Sequence, residues 1–395
     1  MNIVRRLCAA AVIAAGFAGL GSAARAADPY EINVILSLTG RIAFIGQTDQ
    51  QALKALEATV NKSGGIRGRP LSFVIADDQS EPRTALALAQ GLIAKGVPII
   101  LGPVAPDSCA AIAPLVAQNG PLFYCLANAG NPVPGGFEFL TLFPYESQFV
   151  VTVRYFRERG WKKIASIVAN DAGGQGAERA FNEALELPEN KGLQVVAREH
   201  FTAADLNVNA QMAHIKAAGP DALLAWTTGG PTGTLFRGAR DVGLDIPTVT
   251  SPGNLNAAFF KQFGALAPST LLFAAVGYYG LDAITDRATK TQIANLTSAL
   301  ATVGAKPDMI EISAWDPALL LVDTLRKLGP DASAAKLHDY LVNLTGWTGV
   351  NGPYNFRTNP QRGIGENNIL MVKFDGQTGT GVAVSKFGGA PLSGR

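Results

Sequence analysis

Reactive side chains are scarce in this chain of 395 residues, which holds three cysteines and three histidines. No His-Glu-x-x-His, Cys-x-x-Cys or Gly-x-Ser-x-Gly pattern occurs, and no phosphate loop ends in Gly-Lys-Ser/Thr. Zinc hydrolysis, dithiol exchange, esterase-type acyl transfer and nucleotide cleavage therefore lack their signatures. His200, His214 and His338 lie far apart, and His214 falls in a helical pattern as a surface or boundary residue. GGQGAER (173–179) is glycine-rich after a strand but misses the dinucleotide spacing. Charge is scarce as well: 16% of residues are charged, the formal net charge is +2, and no polybasic run exists. Nothing electrostatic points to nucleic acid or an anionic membrane surface. No cofactor is expected, and catalysis is the weaker class of function.

The N-terminus carries what the rest lacks. MNIVRR is followed by the apolar LCAAAVIAAGFAGLGSA and by Ala24-Arg25-Ala26, a small-x-small cleavage pattern. This reads as a secretory signal peptide (residues 1–26), cut after about residue 26 or 27. No later apolar run approaches 18 residues, so an exported, soluble, periplasmic protein is expected. Removing the leader leaves Cys109 and Cys125, for which an oxidising compartment permits a disulfide. Two buried free thiols are the alternative.

The mature chain alternates β-branched runs with helical patterns, the mark of α/β units on parallel sheets. One strand–helix series starts at EINVILSL (31–38) and a second near residue 148, with no Ser- or Pro-rich linker between them. LLFAAVGYY (271–279) reads as a further strand, and helices at 286–303, 311–328 and 333–343 follow. The tail from 350 reads as a β-hairpin region. Such a helical block must pack back on the first series, which makes the domains discontinuous. Asp77-Asp78 ends a strand before a turn, and a turn or helix-start role outweighs acid–base work there.

ILSLTGRIAFIGQ (35–47), NKSGGIRGRPLSFVIADDQSEP (61–82), LGPVAP, AGNP, LFRGARDVGL and VNGPYNF together resemble one family. It is that of the type I periplasmic substrate-binding proteins of branched-chain amino acid (leucine/isoleucine/valine) ABC transporters. The resemblance covers essentially the whole mature chain. It implies two Rossmann-like lobes joined by three crossing segments, with ligand in the cleft between them. The boundaries expected are 27–144 plus 275–346 for the first lobe and 145–274 plus 347–395 for the second. It further implies hinge closure on a small molecule and docking on a membrane permease. A monomer is expected, and a ligand sensor feeding a membrane receptor is the competing reading of the same fold.

Carried over by position, the resemblance places Phe44 against the ligand, with burial in the first lobe as its alternative. It also places the turn after the third strand at the cleft, with Ala105, Asp107 and Ser108 as candidates. Pro106 falls where the family has a carboxylate-binding serine, so a hydroxyl and an N–H are lost together. Ala127, Asn128 and Ala129 follow on the next strand end. From the second lobe come Asp171, alternatively a helix cap, and Gly173, which stands where the family has an aromatic ring and so is expected to open space or to admit backbone close to the ligand. Trp226, alternatively lobe core, Thr228, Asn254 and Tyr278, with hinge packing as its equal alternative, complete the set. TSPGNLN (250–256) lacks the acidic residue that pairs with a ligand ammonium. Asp107 or Asp171 is the alternative ammonium partner if the cleft brings it there; otherwise an aromatic or other non-amino-acid carboxylate is favoured over an ordinary aliphatic amino acid.

Overall fold

The computed structural model describes residues 28–127, 130, 132–378 and 380–392. The predicted leader lies outside the described residues, as do Asn128 and Ala129. The first series runs β1 (Tyr30–Leu36), α1 (Ala43–Lys62), β2 (Leu71–Asp77), α2 (Pro82–Ala94), β3 (Ile99–Leu101), α3 (Pro106–Val116), β4 (Leu122–Cys125) and β5 (Glu138–Leu140). Its five strands form a parallel sheet in the order β2-β1-β3-β4-β5. β3 and β4 are buried throughout, as strands covered on both faces must be.

The second series runs α4 (Tyr145–Glu158), β6 (Lys163–Ala169), α5 (Ala172–Glu186), β7 (Gln194–Phe201), α6 (Asn209–Ala217), β8 (Ala222–Trp226), α7 (Gly230–Asp241), β9 (Thr248–Val249), α8 (Ala257–Phe263) and β10 (Leu271–Val276). The chain then forms α9 (Arg287–Ala301), α10 (Met309–Leu328), α11 (Ala334–Val342), β11 (Thr345–Gly349), β12 (Gly352–Asn355), β13 (Ile369–Asp375) and β14 (Thr380–Ala383). The second sheet has the order β14-β13-β10-β9-β8-β6-β7, and β13 and β14 join it antiparallel. The two-lobe α/β expectation holds.

α10 returns to the first lobe and lies along α1, as the discontinuous reading requires. Asp308 caps it, accepting the Ile310 N–H at 2.9 Å. Asp316, buried within α10, accepts the N–H groups of Val350 and Asn351 at 2.8 and 2.9 Å and the Tyr354 hydroxyl at 3.0 Å. Those bonds fasten the β11–β12 hairpin to α10, although the boundary at 346/347 assigned nearly all of it to the second lobe. On these contacts we propose that the crossings are 141–144, 277–286 and 356–368, with the hairpin belonging to the first lobe.

Candidate ligand-binding cleft

In both sheets the parallel strands point their carboxyl ends at the junction of the lobes, where α/β folds place ligands. Six turns and the first crossing converge there. The turn from β1 to α1 is held by carboxylates: Asp77 accepts the N–H groups of Leu38 and Thr39 at 2.8 and 3.2 Å and the Thr39 hydroxyl at 2.7 Å. Asp78 accepts the Ser37 hydroxyl at 2.7 Å and the Ser80 N–H at 2.8 Å. These acids therefore knit two turns together, and the turn they fix presents Arg41, Ile42 and Ile45 to the cleft.

Gly102 ends β3 with φ +84°, and a Cβ there would collide with the Ile35 carbonyl oxygen. Helix α3 starts at Pro106, with proline at its first position where no N–H is needed. A disulfide joins Cys109 to Cys125, Cα–Cα 6.0 Å, so it ties the turn carrying Ala105 and Asp107 to the strand end carrying Ala127.

On the second lobe, Asp171 caps α5 by accepting the Gly174 N–H at 2.8 Å. It also lines the cleft, so the two expected roles coexist. Trp226 is 2% exposed and meets Tyr145 edge-to-face, with ring centroids 5.5 Å apart, so it is both lobe core and cleft wall. Asn254 shapes the neighbouring turn: its side chain accepts the Gly229 N–H at 2.9 Å and donates to the Thr227 carbonyl at 2.9 Å. That turn places Thr227 and Thr228 at the cleft beside Ser251 and Pro252.

The cleft encloses about 80 Å³. Of the predicted residues, Ala105, Asp107, Ala127, Asp171, Gly173, Trp226 and Thr228 line it. Four described candidates do not. Phe44 packs at the lobe junction beside Gly229. Ser108 is fully buried in α3, and its hydroxyl has no partner among the described residues. Asn254 is fully buried and committed to the turn it supports. Tyr278 is on no strand, because β10 stops at Val276; it sits in a 3-10 turn and lines a separate surface groove with Tyr279 and Asp308.

Gly173 lines the cleft, and a Cβ there would lie 3.5 Å from Pro106 Cγ on the other lobe, an ordinary van der Waals separation. The departures at 106 and 173 therefore meet across the lobe junction.

Sequence reasoning missed Arg41, Tyr145 and the start of α10, where Met309, Ile310 and Ser313 face the cleft. Tyr145 starts α4 directly after the first crossing, and α10 arrives some 200 residues after the turns it joins, so no local pattern marks either. Arg41 lay inside the quoted β1–α1 motif without any feature that singled it out.

Asp107 is drawn two ways. Its Oδ1 accepts the Ala172 N–H at 2.9 Å, and its Oδ2 lies 3.8 Å from Arg41 Nη2. Burial raises its pKa, the Ala172 hydrogen bond lowers it, Asp171 raises it, and Arg41 lowers it; the net shift is upward. Among the described residues no cluster of three or more His, Cys, Asp or Glu side chains has metal-binding geometry, and no helix is long and apolar enough to cross a membrane.

A sequence profile of periplasmic binding proteins matches residues 29–379. A Leu/Ile/Val-binding protein homolog of Brucella melitensis is 27% identical over 259 residues, 64% of this chain and 69% of that one. A leucine-, isoleucine-, valine-, threonine- and alanine-binding protein of Pseudomonas aeruginosa is 30% identical over 236 residues, 59% of this chain and 62% of that one. Among solved structures, a branched-chain amino acid transporter substrate-binding protein of Streptococcus pneumoniae in complex with isoleucine superposes with a TM-score of 0.75 at 19% identity, covering 90% of this chain and 99% of that one. An ABC transporter solute-binding protein of R. palustris in complex with 4-hydroxybenzoate gives 0.74 at 21% identity, covering 90% and 95%.

Proposed function

This chain belongs to the periplasmic binding protein family, and from that premise we propose that it captures a small organic acid for an ABC importer. It is a solute-binding protein and not an enzyme. The family places it outside the cytoplasm, in a periplasmic or extracellular compartment. Cleavage of the leader delivers it there, and the closed, loaded form docks on a membrane permease.

The observation that carries the ligand class is a cleft with walls from both lobes and an apolar majority: Ile42, Ile45, Val104 and Leu126 face Tyr145 and Trp226. Such walls hold a short apolar or aromatic body, and contact with both lobes couples its binding to closure. Both carboxylates that line the cleft already accept α5 amides. One oxygen of each is thereby engaged and the 250–256 turn supplies no acid, so a carboxylate lacking an α-amine, an aromatic acid foremost, is favoured over an α-amino acid. The likeness to an isoleucine-bound and a 4-hydroxybenzoate-bound structure supports this size range.

A thermal-shift screen of the mature protein against amino acids, aromatic acids, aliphatic monocarboxylates, dicarboxylates and amides tests the reading. A ligand at 100 times its Kd stabilises by about 2.7 kcal/mol. Stabilisation by an aromatic or aliphatic monocarboxylate is expected. Strong stabilisation by leucine or valine with none by aromatic acids would overturn the argument from amine recognition.

A further inference from the structure

Arg41 is the one cationic side chain among the residues lining the cleft. It stands at the start of α1, beyond the turn that Asp77 and Asp78 hold in place, so its backbone position is well determined. Its side chain is 37% exposed, and its backbone carbonyl lies near Gly229 of the second lobe. A guanidinium carries five donors, yet this one makes no hydrogen bond to a protein acceptor among the described residues. Its single charged contact is the long 3.8 Å approach to Asp107, whose other oxygen is taken by the Ala172 N–H. The protein has therefore placed an always-charged, planar donor at the mouth of an apolar cleft and left its fork unfilled.

We propose that Arg41 grips the ligand's carboxylate and thereby sets the charge class of the solute, an inference that rests on the function proposed above. The ligand's apolar body lies between Ile42, Ile45 and the Tyr145–Trp226 wall, while its carboxylate receives the Arg41 N–H groups. Asp107 competes weakly for the same guanidinium, because its Oδ1 is engaged by the second lobe and its Oδ2 is outside hydrogen-bond reach. The charges of Asp107 and Asp171 do not repel such a ligand strongly, since both sit at the positive end of the α5 dipole.

The test is a cycle of ligand and protein changes read by calorimetry. The probes are 4-hydroxybenzoate against 4-hydroxybenzamide, and 4-methylpentanoate against 4-methylpentanamide, so each pair differs in charge but hardly in shape. Wild-type protein is expected to prefer the carboxylate by roughly 10- to 100-fold, the usual worth of hydrogen bonds to a charged group. Arg41→Met is expected to abolish that preference while leaving amide binding within about 3-fold, and Arg41→Lys to restore part of it. Because Arg41 is substantially exposed, the melting temperature of unliganded Arg41→Met should match wild type. If Arg41→Met does not fold, the Arg41→Lys ratio decides alone, and an undiminished preference there counts against the inference. A wild-type preference for the amides, or one that survives in Arg41→Met, overturns the inference and leaves the proposed function standing. Wild-type protein stabilised by no acid, amide or amino acid overturns both.

Discussion

The N–H of Ala172, the first residue of α5 on the second lobe, donates to Asp107 Oδ1 on the first lobe at 2.9 Å. A protein carboxylate thus joins the two halves of the cleft where they meet. The bond exists only when the lobes are together, so it belongs to the energy difference between closed and open states.

Asp107→Ala is accordingly expected to open the unliganded protein. A hydrogen bond to a charged group contributes about 1.5–3 kcal/mol. At 28% exposure Asp107 delivers the lower part of that range, about 10-fold in the closed-to-open ratio. Small-angle scattering should show a larger radius of gyration for Asp107→Ala without ligand, and Asp107→Asn, which keeps an acceptor at Oδ1, should lie between. Identical scattering for all three would refute the latch.

Gly173 tests the same closure sterically. With Pro106 Cγ 3.5 Å from where its Cβ would stand, a ring at 173 would extend from that contact into the space between the lobes. Gly173→Tyr should therefore weaken binding of any ligand that needs closure by at least about 10-fold, in line with overpacking costs of about 1–3 kcal/mol. Pairing it with Pro106→Ser should recover part of the loss. Equal affinity in Gly173→Tyr and wild type would show that the Pro106–Gly173 contact does not bear on closure.

Much of this cleft was legible because strand–turn–helix units announce their own strand ends. Ala105, Asp107, Asp171 and Trp226 each stand just beyond or at the end of a parallel strand, and a periodic apolar run marks each strand locally. Ser108 and Asn254 were misjudged for a different reason. Which way a polar side chain turns depends on neighbours distant in sequence, such as Thr227 and Gly229 for Asn254. Tyr278 stayed open between cleft and hinge because an apolar run does not say where the strand gives way to a 3-10 turn. Gly173 shows a third kind of limit: its meaning depends on Pro106, on another lobe, and neither residue predicts the pairing by itself.

The disulfide lies immediately behind the cleft. Closing a loop of 16 residues between Cys109 and Cys125 restricts the unfolded chain by about 3 kcal/mol. The double variant Cys109→Ser, Cys125→Ser should lose stability of that order in urea unfolding. Ligand affinity should fall as well, since Ala105 and Ala127 on either side of the bridge line the site. A variant as stable as wild type, with the bridge confirmed by thiol titration in wild type, would contradict the expectation.

Glu138 opens β5 and is 9% exposed, and burial pushes its carboxyl from 4.5 up to about 7 against the opposing charge of Arg362. The folded state therefore holds this proton more tightly than the unfolded chain does. Its contribution to stability is complete below about pH 4.5, falls as the unfolded chain ionises, and is gone once the pH passes the folded-state value near 7. The whole change is at most ~3.5 kcal/mol, from about 1.4 kcal/mol per pKa unit. Burial lowers the Arg362 pKa to about 10, with Glu146 and Glu138 opposing that shift, so its charge stays constant across this window. Asp316, raised by burial to about 6, pushes in the same direction, which makes the difference between wild type and Glu138→Gln the informative quantity. That difference should favour Glu138→Gln at pH 8 and shrink at pH 5, as read by urea unfolding. A difference that does not vary with pH would mean that Glu138 titrates as it does in the unfolded chain, and that its burial is relieved by solvent.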